Sequence, residues 1–102
     1  MMKVLVTGGF GFLGMATVRR LSGLGHDVRI LDSRNPPQGW LPHTRKPVVK
    51  RNSRCLKATC PEMPDTPVDV VIGDMRDAET CRIACNGMDA VMHFAGISSI
   101  GF

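Results

Sequence analysis

The 102-residue sequence contains no tyrosine and a single tryptophan, and aromatic residues make up 5% of it. No phenol is therefore at hand to serve as a base, and there is no interleaved aromatic platform to stack the bases of a single-stranded nucleic acid. Nothing approaches the roughly 20 apolar residues of a membrane span. Residues 1–25 carry glycines and the pair Arg19-Arg20 where a secretory signal would need an apolar block and a small-residue cleavage site. The spacings among Cys55, Cys60, Cys81 and Cys85 miss the C-x2-C knuckles of zinc sites. A cytoplasmic, reduced protein without a metal site is expected, with Cys81 and Cys85 as buried small side chains and Cys55 and Cys60 as loop thiols. No Ser/His/Asp or Cys/His set suggests other chemistry.

Proline is missing from both ends of the chain, since all seven fall between residues 34 and 67. That segment also holds Trp40 and seven of the thirteen Lys and Arg against two acids. The remainder has six bases and seven acids, so the net charge of +4 belongs to one segment and not to the whole. Arg45, Lys46, Lys50, Arg51, Arg54 and Lys57 read as a solvated face, and no nucleic-acid or membrane partner is expected. At over thirty residues the segment is long for a connection in a compact domain. It reads as a mostly irregular, partly mobile insertion, in which PVVK (Pro47–Lys50) is the one candidate strand.

Around this segment the order is regular. Lys3–Val6 reads as a strand buried on both faces, and Phe12–Leu24 as an amphipathic helix with Leu13, Val18, Leu21 and Leu24 apolar. His26–Asp32 and Val68–Asp74 follow as strands. A helix capped by Asp77 and ended at Gly87 leads to a fourth strand in Asp89–Gly96. The alternation β-α-β-(insertion)-β-α-β predicts an α/β fold with a doubly wound parallel sheet.

Four glycines fall within seven residues directly after the first strand, in VLVTGGFGFLG (Val4–Gly14). Gly9, Gly11 and Gly14 spell G-x-G-x-x-G, and Thr7, Gly8, Gly11 and Gly14 spell T-G-x-x-G-x-x-G. In this setting Gly8 or Gly9 permits the tight turn, Gly11 lets a pyrophosphate approach the backbone, and Gly14 lets helix and strand pack closely. The helix N-terminus supplies free N–H groups and a favourable dipole. Asp32, at the end of the second strand, is placed to accept the ribose 2′-OH of NAD and to repel the 2′-phosphate of NADP. Arg34, two residues on, leaves room for NADP as the less favoured cofactor.

With TGGFGFLG, LDSR, GDMRD and HFAG in this order, the chain resembles the extended short-chain dehydrogenase/reductase family, the NAD-dependent epimerases and dehydratases of nucleotide sugars. VMHFAGISSIG (Val91–Gly101) is similar to the fourth-strand segment of its UDP-glucose epimerases. The resemblance implies a Rossmann-type sheet, of which residues 1–102 would form a partial NAD-binding domain with its first four strands, interrupted by the 34–67 insertion. It implies that Phe12 and Leu13 offer N–H groups to the pyrophosphate, and that Asp32 and Ser33 hold the adenosine ribose. Asp74 would bond the adenine amino group with Met75 against the ring, while Phe94, Ala95 and Gly96 line the cleft. His93 is expected to be satisfied within the structure. A lysine usually stands at the position of Ser98.

The family's base is the tyrosine of a Y-x-x-x-K helix, and no residue here, Ser98 and Ser99 included, replaces it. The chain is therefore expected to be the N-terminal part of a longer enzyme that acts on a nucleotide sugar and commonly dimerises, without catalytic residues of its own. The alternative is a non-catalytic NAD-binding regulator.

Overall fold

A computed structural model of the chain describes residues 1–43 and 46–96. Arg45, Ser98 and Ser99 lie outside the described residues. In chain order the elements are β1 (Lys3–Thr7), α1 (Phe12–Gly23), β2 (Asp27–Asp32), β3 (Leu41–Pro42), β4 (Val48–Lys50), β5 (Ser53–Thr59), β6 (Val68–Ile72), α2 (Ala78–Cys85) and β7 (Ala90–His93).

The sheet runs β3-β5-β6-β2-β1-β7, with β4 also paired to β5. β6, β2, β1 and β7 are mutually parallel, in register through pairs such as Val6↔Ile30, Val6↔Met92 and Leu31↔Val71. Parallel strands are covered on both faces, and the sequence of β1 meets that demand. Val4 and Val6 join Val28, Ile30 and Val68 on the face that receives Val18 of α1. Leu5 points the other way, toward Leu31, Val71 and Ala84 of α2. The two helices thus cover opposite faces, and the connections reverse direction between β1 and β7.

The helix faces differ in phase from the sequence expectation. α1 buries Gly14, Met15, Val18 and Ser22, while Leu13 and Leu24 stand exposed. Leu13 is released because the first turn of α1 faces a cleft and not the sheet. α2 starts at an Asp77 side chain that accepts the Glu79 N–H at 3.0 Å, as the cap expectation had it. It buries Thr80 and Ala84, one residue back from Cys81 and Cys85. Cys85 is consequently exposed and Cys81 half-buried, whereas Cys60 in the proline-rich segment is 1% exposed. Cys55, expected in a loop, lies inside the strand β5, so the cysteine expectations are corrected for all four residues. Among the described residues no group of three His, Cys, Asp or Glu could hold a metal.

The larger correction concerns residues 34–67. The candidate strand in Pro47–Lys50 forms as β4, but the segment also carries β3 and β5 where an irregular excursion was expected. β5 pairs antiparallel with β6 from Arg54↔Ile72 to Ala58↔Val68. The physical reason lies in where the prolines are not. Arg51–Cys60 has none, so β5 can donate along its whole length and supply partners to the outer edge of β6. Pro42 sits in the two-residue edge strand β3, and Pro61, Pro64 and Pro67 lie in the turns beyond. Ser53 and Thr80, both buried, join the hairpin to α2 by a 2.9 Å hydroxyl bond.

Candidate cofactor-binding site

The carboxyl ends of β1, β2, β6 and β7 open onto one cleft of about 790 Å³. All twelve residues expected to touch a cofactor line it: Gly8, Gly11, Phe12, Leu13, Gly14, Asp32, Ser33, Asp74, Met75, Phe94, Ala95 and Gly96. They come from four separate stretches of chain, one at the end of each of these strands. What assembles them is strand order, which puts β1 between β2 and β7. Sequence reasoning left out Leu31, Gly73 and Arg76, which also line the cleft, and gave Arg34 only a minor part. D-x-R, repeated at Asp32–Arg34 and Asp74–Arg76, was the signal available.

The glycine loop is built by contact distances. Gly8 adopts φ +68°, and a Cβ there would lie 2.8 Å from the Ala95 nitrogen, so the turn after β1 packs directly on the turn after β7. A Cβ on Gly14 would lie 2.1 Å from the Gly8 carbonyl oxygen. Gly14 therefore serves the approach of α1 to the loop, and not to the strand as the motif suggested. Gly8 O accepts from Gly11 N–H at 3.0 Å, and Gly11 O from Met15 N–H at 2.8 Å, which starts the helix. At α1 the cap residue Gly11 has no side chain to offer, and the first turn holds no acid. The first-turn N–H groups, which have no intrahelical acceptor, are left facing the cleft beside Phe12 and Leu13. Phe12 is 92% exposed, so what it contributes at the loop is backbone.

Asp32 lies opposite this helix end and is 6% exposed. One carboxylate oxygen accepts from the Arg34 N–H and Nε, both at 3.0 Å. The other accepts from the Phe10 N–H and a terminal Arg34 nitrogen, also at 3.0 Å. Burial pushes the carboxyl up, but the bonds from the Arg34 side chain and backbone and from Phe10 outweigh it and hold the group below the usual carboxylate range. Phe10 is itself fixed by an edge-on contact with Trp40, ring centres 5.3 Å apart. Asp74 is clamped in the same way, by the Arg76 N–H at 2.8 Å and its guanidinium at 2.7 Å. The Arg76 side chain, then its N–H, lowers the Asp74 carboxyl to about 2. Unlike Asp32, this pair stands in solvent, Arg76 being 89% exposed.

On the β7 side, Thr7 Oγ1 accepts from the N–H groups of Phe94 at 3.1 Å and Ala95 at 3.3 Å, which sets the turn lining the cleft. His93 Nδ1 lies 2.6 Å from the same hydroxyl, so this histidine is satisfied within the structure. A helix end without a side-chain cap, glycines at 8, 11 and 14 and a buried carboxylate on the neighbouring strand fit a dinucleotide at a doubly wound switch point.

Comparison with known proteins agrees with this geometry. Residues 4–102 match the NAD dependent epimerase/dehydratase family. The chain is 39% identical to a UDP-glucose 4-epimerase of Neisseria meningitidis serogroup B, over 99% of this chain and 26% of that protein. It is 32% identical to a bifunctional UDP-glucose 4-epimerase and UDP-xylose 4-epimerase of Pisum sativum, over 97% of this chain and 26% of the relative. A 2'-dehydrokanamycin reductase of Streptomyces kanamyceticus is 30% identical over 98% of this chain and 29% of its own length. The chain thus spans about a quarter of the length of the curated relatives it matches. With sheet order, glycine cradle and sequence match in accord, the chain belongs to the NAD dependent epimerase/dehydratase family.

Proposed function

We propose that this chain binds NAD, in preference to NADP, as the cofactor-binding front of a nucleotide-sugar epimerase or dehydratase. The observation that carries the reading is the convergence of twelve residues from four stretches on one cleft, with a buried Asp32 facing an uncapped helix N-terminus. In this reading the first-turn N–H groups of Phe12 and Leu13 take the pyrophosphate, with Gly11 giving it room. Asp32 and Ser33 take the adenosine ribose, and Asp74 and Met75 the adenine. Phe94, Ala95 and Gly96 form the wall toward the nicotinamide. A 2′-phosphate would have to sit against the Asp32 carboxylate, which supports the preference for NAD. When bound, NAD would supply the hydride acceptor for oxidation at a sugar carbon. This chain's own part is to bind and orient it.

The test is a calorimetric titration of NAD, NADP and ADP-ribose into the chain. One-to-one saturable binding is expected, with NAD tighter than NADP. Asp32→Ala, with its fold checked by circular dichroism, is expected to weaken NAD roughly 10- to 100-fold, the worth of one or two charge-assisted hydrogen bonds. A folded chain that takes up neither dinucleotide would refute the reading.

A further inference from the structure

The four hydrogen bonds on Asp32 fill the acceptor capacity of its carboxylate. Each oxygen has two in-plane lone-pair directions, and each already accepts two donors. Two of these donors, the Phe10 and Arg34 N–H groups, belong to the backbone of the turns and stay in place. The other two are the Nε and a terminal nitrogen of Arg34, a forked side-chain contact. That leaves no seat for a ribose diol unless the guanidinium moves.

Arg34 is also placed to obstruct the cradle. One of its terminal nitrogens lies 3.4 Å from where a Cβ of Gly11 would be, so the guanidinium lies beside the glycine that gives the pyrophosphate room. Its side chain is 57% exposed, whereas that of Asp32 is 4% exposed. The two halves of the pair are thus unequal. The carboxylate is fixed and buried, and the guanidinium is a long arm reaching in from solvent.

We propose that Arg34 is a displaceable plug that holds the ribose seat of Asp32 until a dinucleotide displaces it, and that it narrows the preference for NAD which the Asp32 carboxylate imposes. The inference rests on the reading of the cleft as a dinucleotide site. A diol-bearing ligand exchanges its two hydroxyl donors for the two guanidinium donors, so Asp32 stays satisfied throughout. The released guanidinium then lies at the edge of the ribose. There it gains nothing from NAD but meets a 2′-phosphate with opposite charge. The same residue weakens NAD by competition and rescues part of NADP binding.

The apparent affinity for NAD is reduced by the fraction of molecules in which the plug is out. Arg34→Gln, which cannot present the charged fork, is expected to tighten NAD about three- to tenfold and to weaken NADP by a similar factor. Arg34→Lys, which keeps the charge without the bidentate geometry, should fall between the two for NAD and retain most NADP affinity. Unchanged or weaker NAD binding in Arg34→Gln would overturn the proposal. A second measurement needs no variant: the Nε–H resonance of Arg34 in the ligand-free chain should be protected from exchange, and ADP-ribose should abolish that protection. An Arg34 Nε–H that exchanges freely before any ligand is added would also overturn it. Failure of the dinucleotide reading has a different signature, a protected Arg34 Nε–H and no binding of NAD, NADP or ADP-ribose by any of the three chains.

Discussion

One substitution, made twice in the same helix, tests the packing logic of the glycine loop. Gly14 and Gly23 both lie in α1. In an unconstrained helix each change to alanine should stabilise the fold by about 0.5–1 kcal/mol, because alanine loses less backbone freedom on folding. At Gly23 nothing lies within 4 Å of the added Cβ, so Gly23→Ala should show that gain. At Gly14 the Cβ would sit 2.1 Å from the Gly8 carbonyl oxygen, 2.8 Å from its carbonyl carbon and 2.9 Å from the Gly9 Cα. All three are backbone atoms, held by the Gly11 N–H bond to Gly8 O and by the packing of Gly8 on Ala95. No side chain can rotate away, so α1 or the loop must shift bodily.

Overpacking of this kind costs about 1–3 kcal/mol or more, which exceeds the propensity gain and reverses the sign. For a domain of this size, a net loss of about 2 kcal/mol corresponds to roughly 8–16 °C in Tm. Urea unfolding followed by circular dichroism and by Trp40 fluorescence gives both values. NAD titration of Gly14→Ala should show weakened binding, since the shifted helix end carries the first-turn N–H groups. A Gly14→Ala chain as stable as the parent would mean that the loop is not held as described, and the account of the cradle would fail.

Three further outcomes follow from the same structure. Asp32, Asp74 and Asp77 all have folded-state carboxyls below their ordinary values, Asp74 at about 2. As pH falls through about 4 the unfolded chain takes up protons first, so the stability these groups contribute is present above that pH and is lost toward pH about 2. Tm measured from pH 6 down to 2 should fall in that window, and a flat profile would contradict the assignment. Burial, then the hydrogen bond to Glu62, pushes the Cys60 thiol up, while Cys85 is exposed. Iodoacetamide labelling read by mass spectrometry should therefore modify Cys85 early and Cys60 last, and only after unfolding. Arg51, in the two-residue turn between β4 and β5, holds φ +54° without being glycine. Arg51→Gly should stabilise the chain by about 0.5–1 kcal/mol in urea titration, and a loss would show that the turn is relaxed as it stands.

Much of the molecule could be read from local pattern. Apolar β1, β2 and β6, the glycine cluster after β1, the Asp77 cap and the acid ending β2 are all features whose chemistry is set by a few neighbouring residues. Periodicity and turn propensity therefore reach them. The candidate cleft was legible for the same reason, since its parts sit at strand ends where the motifs mark them.

What local pattern could not reach were the properties set by partners distant in the chain. β5 carries a mixed sequence and becomes a strand because β6 offers it an open edge, 18 residues away at the pair Arg54↔Ile72 down to the 10 of Ala58↔Val68. The phases of α1 and α2, and with them the exposure of Leu13 and Cys85, depend on which side of each helix meets the sheet. The role of Gly14 was misplaced for want of knowing how near the Gly8 carbonyl lies. The sequence alone determined that a buried parallel sheet, a glycine cradle and an acidic strand end would form, because each needs only residues close in the chain. Only the tertiary structure decided that Arg34 folds back onto that acid and that four stretches close around one cleft, because those contacts exist only once strand order has brought the ends together.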